Sequence, residues 1–211
     1  MKFNPEEFVE FGHPDGPLLI SVARESINRY FKTKTVVIPP SITEDPRFRR
    51  RMGCFVTLKK NDEDKSLRGC IGFPYSTKEL SRVLPESAVA AAFDDPRFPP
   101  IREIELRELL LEISLLTEPS QIEAKDQREL PKKIEVGKDG LIMKWSFGSG
   151  LLLPQVATEY NWDSEEFLCN LSMKAGAPPD QWLVPGTIVY KFNALVFQEE
   201  SPLGQVTLMT R

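Results

Sequence analysis

One histidine, His13, is all that the 211 residues offer, and its scarcity removes most nucleophilic devices at once. A Ser-His-Asp or Cys-His arrangement needs an imidazole as base, so it would require His13, which precedes a proline, to fold back over the rest of the chain. Disulfide scaffolding is missing as well: Cys54, Cys70 and Cys169 are an odd number at spacings that build no framework, which fits a reducing compartment. Neither Cys-x-x-Cys nor His-x-x-x-His occurs, so no metal is assigned. The glycines of "FGSGLLLP", Gly148 and Gly150, lack the lysine and helix placement of a P-loop and depart from a dinucleotide fingerprint. They read as a turn, and no cofactor is identified. A formal charge of −4 with a pI near 5.3 excludes a protein that coats duplex nucleic acid by bulk charge. Long apolar runs are absent too, since nothing approaches the roughly 18 residues that span a bilayer. The start "MKFNPEEFVEFGHPDG" has no basic stretch followed by an apolar one. A soluble, cytoplasmic protein without membrane contact is the expectation.

What the chain does have is an ordinary globular balance, 41% hydrophobic and 27% charged, at a length that supports a core without disulfides or metals. After "HPDGP", Leu18, Leu19, Val22, Ala23, Ile27, Tyr30 and Phe31 recur at helical spacing, which predicts a helix over 17–32 with Asp15 or Gly16 as cap. Paired prolines make "VVIPPSITEDPRFRRR" an irregular crossing. "CFVTLKK" and "LRGCIGF" read as two strands of a hairpin, and "STKELSRVLPESAVAAAF" as a helix opened by Ser76 with Glu79 and bent or restarted at Pro85. "LLLEISLLT" reads as a buried strand, and a linker-like stretch separates it from "IEVGKDGLIMKW", a second hairpin turning at Lys138 to Gly140. Two helices follow, the second opened by Asp163 with Glu166 and closed by Gly176, before a last clear strand, "TIVYKFNALVF". Trp145, Trp162 and Trp182, with Phe147 and Tyr160, read as core and lobe-interface packing. Strands and helices do not alternate strictly, which places the fold in the α+β class, with mixed or mainly antiparallel sheets and flanking helices. The tetrapeptide "DPRF" occurs at Asp45 and again at Asp95, too short a match to claim a duplication.

The run Leu67 to Phe73 carries more than a strand needs. On an extended chain Arg68, Cys70 and Gly72 share a face, so the arginine is expected beside the thiol. A guanidinium there favours thiolate, and Gly72 leaves space beside it. The competing reading makes Cys70 a small core residue and Gly69 and Gly72 sites of close backbone approach. A symmetric hairpin sets Val56 opposite Cys70, and a one-residue slip changes that pairing. The helix after the strand travels back about as far as the strand travels forward, which returns "DDPRF" near Arg68. Asp94 or Asp95 then pairs with Arg68, either positioning it over a pocket or consuming its charge. "RFRRR", with Arg47, Arg49, Arg50 and Arg51, is the densest basic cluster and reads either as a phosphate or acidic-partner contact or as a solvated edge.

In order along the chain, "LRGCIGF", "DDPRFPPI", "LEISLL", "VGKDGLIM", "LLLPQVA" and "KAGAP" resemble the AMMECR domain family, from Gly16 to Phe197. The resemblance implies a single domain over 1–211 made of a larger lobe and a smaller one, with a signature-containing core over 16–118 and 119–211 shared between lobes. It implies a signature strand on Leu67, Arg68, Gly69, Cys70, Ile71 and Gly72, and a second motif on Asp95, Arg97, Phe98 and Pro99. Other members often have threonine where this chain has Phe73. In prokaryotes such proteins are often encoded beside a Memo-type protein and a radical S-adenosylmethionine protein, which implies partners in a shared pathway. A link to RNA or nucleotides is also implied, without a settled reaction.

Two functions of different class follow. In an enzyme or enzyme component, Cys70 is the reactive or substrate-contacting group. Arg68 and Arg97, with Gly69 and Gly72, then hold a small anionic or nucleotide-like ligand, and Asp94 or Asp95 orients an arginine or acts as base. In a non-catalytic adaptor, the strand is structural or a docking surface, and Arg47 to Arg51 contact a protein or RNA partner.

Overall fold

The computed structural model describes residues 11–75 and 77–209. They fall into two compact units: one contains Thr117–Ala194, and the other is discontinuous, ending at Leu116 and resuming at Leu195. The protein is α+β, with a five-stranded and a four-stranded sheet. Among the described residues no helix is long and apolar enough to cross a membrane.

In the discontinuous unit the predicted first helix is α1 (Gly16–Thr33), which buries Leu19, Ile20, Val22, Ala23 and Ile27 along one stripe. Strands β1 (Gly53–Lys60) and β2 (Leu67–Phe73) form the expected antiparallel hairpin, and β3 (Leu109–Leu116) pairs with the other edge of β1. The register is slipped by one residue from the symmetric one: Thr57, not Val56, stands opposite Cys70. The slip sets Gly69 and Ile71 beside Leu58 and Val56, which with Cys54 lie in the apolar core against Leu111, Ile113 and Leu115, and leaves Cys70 on the row of Thr57. A strand with one buried face tolerates only the register that keeps its apolar set together.

Helix α2 (Leu80–Phe93) covers that apolar face together with α1. The cap expected at Ser76 lies outside the described residues, and the helix starts after Glu79. It runs through Pro85 without restarting, because Val83, Leu84, Ala88, Ala91 and Ala92 all bury against the core. Each fully buried aliphatic side chain contributes about 2 kcal/mol of transfer free energy, comparable to the roughly 3 kcal/mol that an interior proline costs.

The five-stranded sheet is completed from the far end of the chain by β8 (Ala194–Glu199) and β9 (Val206–Met209), in the order β2-β1-β3-β8-β9. Glu199 at the end of β8 is buried against Arg24 of α1. The guanidinium gives Nε and Nη2 to the carboxylate at 2.9 and 2.6 Å and also donates to the carbonyls of Leu106 and Leu109, while Glu199 accepts the Leu111 amide.

The unit Thr117–Ala194 holds β4 (Ser120–Gln121), β5 (Gly140–Trp145), β6 (Gly148–Leu152) and β7 (Ile188–Phe192), ordered β4-β7-β5-β6, with α3 (Pro154–Glu159) and α4 (Ser164–Lys174). Helix α4 opens with the predicted box of Asp163 and Glu166. The second hairpin turns at Ser146 and Phe147, not at Lys138 to Gly140. Asp139 accepts the Glu135 amide and Lys191 Nζ, so the segment before Gly140 closes as a turn that feeds β5. The expected last strand is two, β7 and β8, in different sheets. They part at Asn193, whose amide and carbonyl are taken by Thr117. The aromatic expectation holds for buried Trp182, but Phe147 and Tyr160 are 86% and 65% exposed, beside Trp145 and Trp162.

Removing one member of the Arg24–Glu199 pair, as in Arg24→Met or Glu199→Leu, is expected to cost about 3–5 kcal/mol, read from a denaturant melt. The double variant is expected to regain only part of the loss, because the Leu106 and Leu109 carbonyls and the Leu111 amide stay orphaned.

Candidate anion site at the Cys70 strand

Two glycines set how closely β2 is approached. A Cβ on Gly69 would lie 2.2 Å from the Ala91 carbonyl oxygen, so glycine is what lets α2 pack onto the strand. At Gly72 a Cβ would meet the Cys54 carbonyl at 2.3 Å and the Phe55 ring at 2.5 Å. The space expected beside the thiol at Gly72 is therefore filled by β1.

The tight packing of α2 delivers the "DDPRF" loop back to the strand. Asp94 caps the end of α2 and is exposed, while Asp95 is buried. Asp95 Oδ2 accepts the Cys70 amide at 2.8 Å, and the carboxylate takes Arg97 Nε at 2.9 Å and Nη2 at 2.7 Å. Arg97 Nη2 also donates to the Cys70 carbonyl at 3.3 Å. The arginine thus straddles the backbone of Cys70, with its side chain still 53% exposed. The Arg97 guanidinium holds the Asp95 carboxyl far below the usual carboxylate range, helped by the Cys70 and Arg97 amides and opposed by burial.

Arg68 does not lie beside the thiol. The ladder pairs Leu58 with Gly69 and Lys59 with Leu67, so Arg68 is the unopposed residue of a β-bulge, and a bulge re-aims its side chain. Its guanidinium goes to Glu105 at 2.5 Å from Nε and to the Pro99 carbonyl at 3.0 Å, not to Asp94 or Asp95. Phe98 lies between the two arginines, 6.0 Å from the guanidinium carbon of Arg68 and 5.6 Å from that of Arg97.

Across the sheet Cys70, Thr57 and Glu112 stand in one row of β2, β1 and β3. The Thr57 hydroxyl donates to Cys70 Sγ at 3.3 Å, and Glu112 holds Lys59 Nζ at 2.7 Å. Burial pushes the Cys70 thiol up; the Thr57 hydroxyl and the Arg97 charge pull it down, and Glu112 and Asp95 add to the rise. The balance is opposite to the activated thiolate expected from a neighbouring Arg68. Glu112 and Thr57 are the residues that sequence reasoning passed over, although a lone glutamate inside "LLLEISLL" was a visible signal. Glu105 had none among the neighbouring glutamates.

The basic cluster is divided. Arg47 is bound by Asp45 and Asp15, whereas Arg49, Arg50 and Arg51 are exposed. Among the described residues no group of His, Cys, Asp and Glu side chains is arranged to hold a metal ion.

The AMMECR1 family model matches residues 20–197. The chain belongs to the AMMECR1 family. An uncharacterised protein from Thermococcus gammatolerans is 48% identical over 193 residues, covering 90% of this chain and 93% of the relative. One from Methanocaldococcus jannaschii is 43% identical, covering 91% and 94%. The crystal structure of an uncharacterised protein from Pyrococcus horikoshii superposes with a TM-score of 0.89 at 43% identity, covering 96% of this chain and all of that one. In this chain the Leu67–Phe73 strand and the "DPRF" loop at Asp95 are one hydrogen-bonded unit.

The raised thiol predicts that native Cys70 is alkylated by iodoacetamide only as pH rises beyond the free-thiol value of about 8.5, read by peptide mass spectrometry. Unfolded Cys70 ionises first, so the stability linked to its neutral form is present below that pH and falls above it. For Asp95 the sign is reversed. Asp95→Asn is expected to cost about 2 kcal/mol near neutral pH, and the gap to the wild type should close as acid approaches the depressed native value of Asp95, measured by urea melts from pH 7 to about pH 2.

Proposed function

We propose that this surface binds a small anionic ligand through Arg97, and that Cys70 serves it through its backbone, not as a nucleophile. The observation that carries the reading is the state of Arg97: its Nε and Nη2 are committed to Asp95 and to the Cys70 carbonyl, while more than half of its side chain is exposed. A guanidinium fixed in this way loses little rotamer freedom on meeting an oxyanion, and the donors that remain are already aimed. Arg68 supports the site indirectly. Its pairing with Glu105 and the Pro99 carbonyl holds the loop that carries Arg97.

The reading favours a binding element over a thiol enzyme. A half-buried thiol with a raised pKa, whose hydrogen-bond partner is the Thr57 hydroxyl and not an imidazole, is a poor nucleophile near neutral pH. Asp95 is equally unsuited as a base, because a carboxylate held so far below its ordinary range gains a proton reluctantly. Gly69 and Gly72 serve packing. The exposed Arg49 to Arg51 segment is a separate surface, and the Memo-type, radical S-adenosylmethionine, nucleotide and RNA partners implied by the family resemblance do not discriminate between the two classes.

Calorimetric titration with phosphate, sulfate, acetate and citrate tests this. At least one of these is expected to bind, more weakly as sodium chloride is added. Arg97→Gln should weaken the binding roughly tenfold, equal to about 1.4 kcal/mol. Because that variant leaves Asp95 without its partner, Arg97→Lys is measured beside it as a folded variant that keeps the charge but not the fork. Loss of binding in Cys70→Ser with retention in both Arg97 variants would replace this reading by a thiol-centred one.

A further inference from the structure

The tetrapeptide "DPRF" builds the same object twice. In each copy the aspartate Oδ1 accepts the arginine's own amide, at 3.0 Å for Asp45–Arg47 and 3.1 Å for Asp95–Arg97. In each copy Nε donates to Oδ1, at 3.1 and 2.9 Å, and Nη2 to Oδ2, at 2.7 Å in both. The phenylalanine amide returns to the aspartate carbonyl at 3.1 Å in both. An aromatic ring attends each guanidinium, Phe11 at 5.3 Å from Arg47 and Phe98 at 5.6 Å from Arg97.

The copies part at Nη1. Arg47 Nη1 donates at 2.6 Å to a second carboxylate, that of Asp15 at the start of α1, and the Arg47 side chain is 29% exposed. Arg97 Nη1 has no hydrogen-bond partner among the described residues, and the side chain is 53% exposed. The first copy is thus a worked example of what the second can hold. A guanidinium whose Nε edge is closed by one carboxylate has, on Arg47, accepted another at Nη1.

We infer that Arg97 Nη1 takes a carboxylate oxygen of the ligand, in the position that Asp15 occupies on Arg47. This deepens the anion reading above and rests on it. Charge argues the same way. Asp95 and Glu112 already place negative charge near the Cys70 strand, so a monoanionic carboxylate joins the arginine against less repulsion than a phosphate dianion meets. The ligand class is a small organic acid, or an acid group carried by a larger molecule.

The test is side-chain NMR of the intact protein, following the arginine Nε and Nη resonances during titration with acetate, with succinate and with inorganic phosphate. The expected result is a saturable shift of the Arg97 resonances by the carboxylates at lower concentration than by phosphate, with the Arg47 resonances unmoved because Asp15 fills their site. Phosphate acting on Arg97 at an equal or lower concentration would overturn the carboxylate assignment and leave the anion reading standing. No response of Arg97 to any of the three would overturn both. The measurement is made on the unaltered chain, so no folding defect can mimic failure.

Discussion

The contact between Arg24 and Glu199 is the constraint on which the discontinuous unit depends. A buried charge is tolerated only when paired and saturated with hydrogen bonds, and here the saturation comes from three places in the chain. Helix α1 supplies the guanidinium, β8 the carboxylate, and the stretch from Leu106 to Leu111 the remaining donors and acceptors. The pair therefore fixes the angle of α1 over the sheet and the seat of β8 beside β3 together. With those fixed, α2 has one place to lie, and the alanines on its buried face set its depth against Gly69.

From that depth follows the loop after α2. A bulkier residue than glycine at position 69 would lift the helix, and the Asp95 carboxylate would no longer reach the Cys70 amide. The signature strand is in this sense half of a joint, and the "DPRF" loop is the other half. The strand alone left Cys70 open between a reactive thiol and a small packing residue, and neither reading contained what its backbone does: Cys70 gives its amide to Asp95 and its carbonyl to Arg97, while its sulfur turns to Thr57.

Local pattern made much of this legible. The stripe Leu19, Val22, Ala23, Ile27 announced α1, the alternation in "CFVTLKK" and "LRGCIGF" announced the hairpin, and Asp163 with Glu166 announced α4. The return of the second motif to the strand followed from rise per residue alone. What stayed hidden was non-local. One strand running through Asn193 and two strands in different sheets share the same alternation, so "TIVYKFNALVF" could not disclose its break. The bulge at Arg68 left no trace in its own residues, so nothing in them disclosed that the guanidinium turns to Glu105 and away from the thiol. The repeat of "DPRF" was visible, but its meaning lay in the hydrogen bonds of its flanks, which four letters do not contain.

The interruption of the discontinuous unit by Thr117–Ala194 has a consequence for how the chain comes to be folded at all. During synthesis β3 emerges with one neighbour, β1, and its other edge stays bare until the whole intervening unit has been made and β8 follows it. That strand is mostly apolar and buried along its length in the finished protein, which is the kind of strand that recruits foreign strands when left open. Arg24 waits just as long, its counter-charge 175 residues away. The inserted unit thus acts as a delay line, and the protein carries its aggregation risk in the order of its own translation.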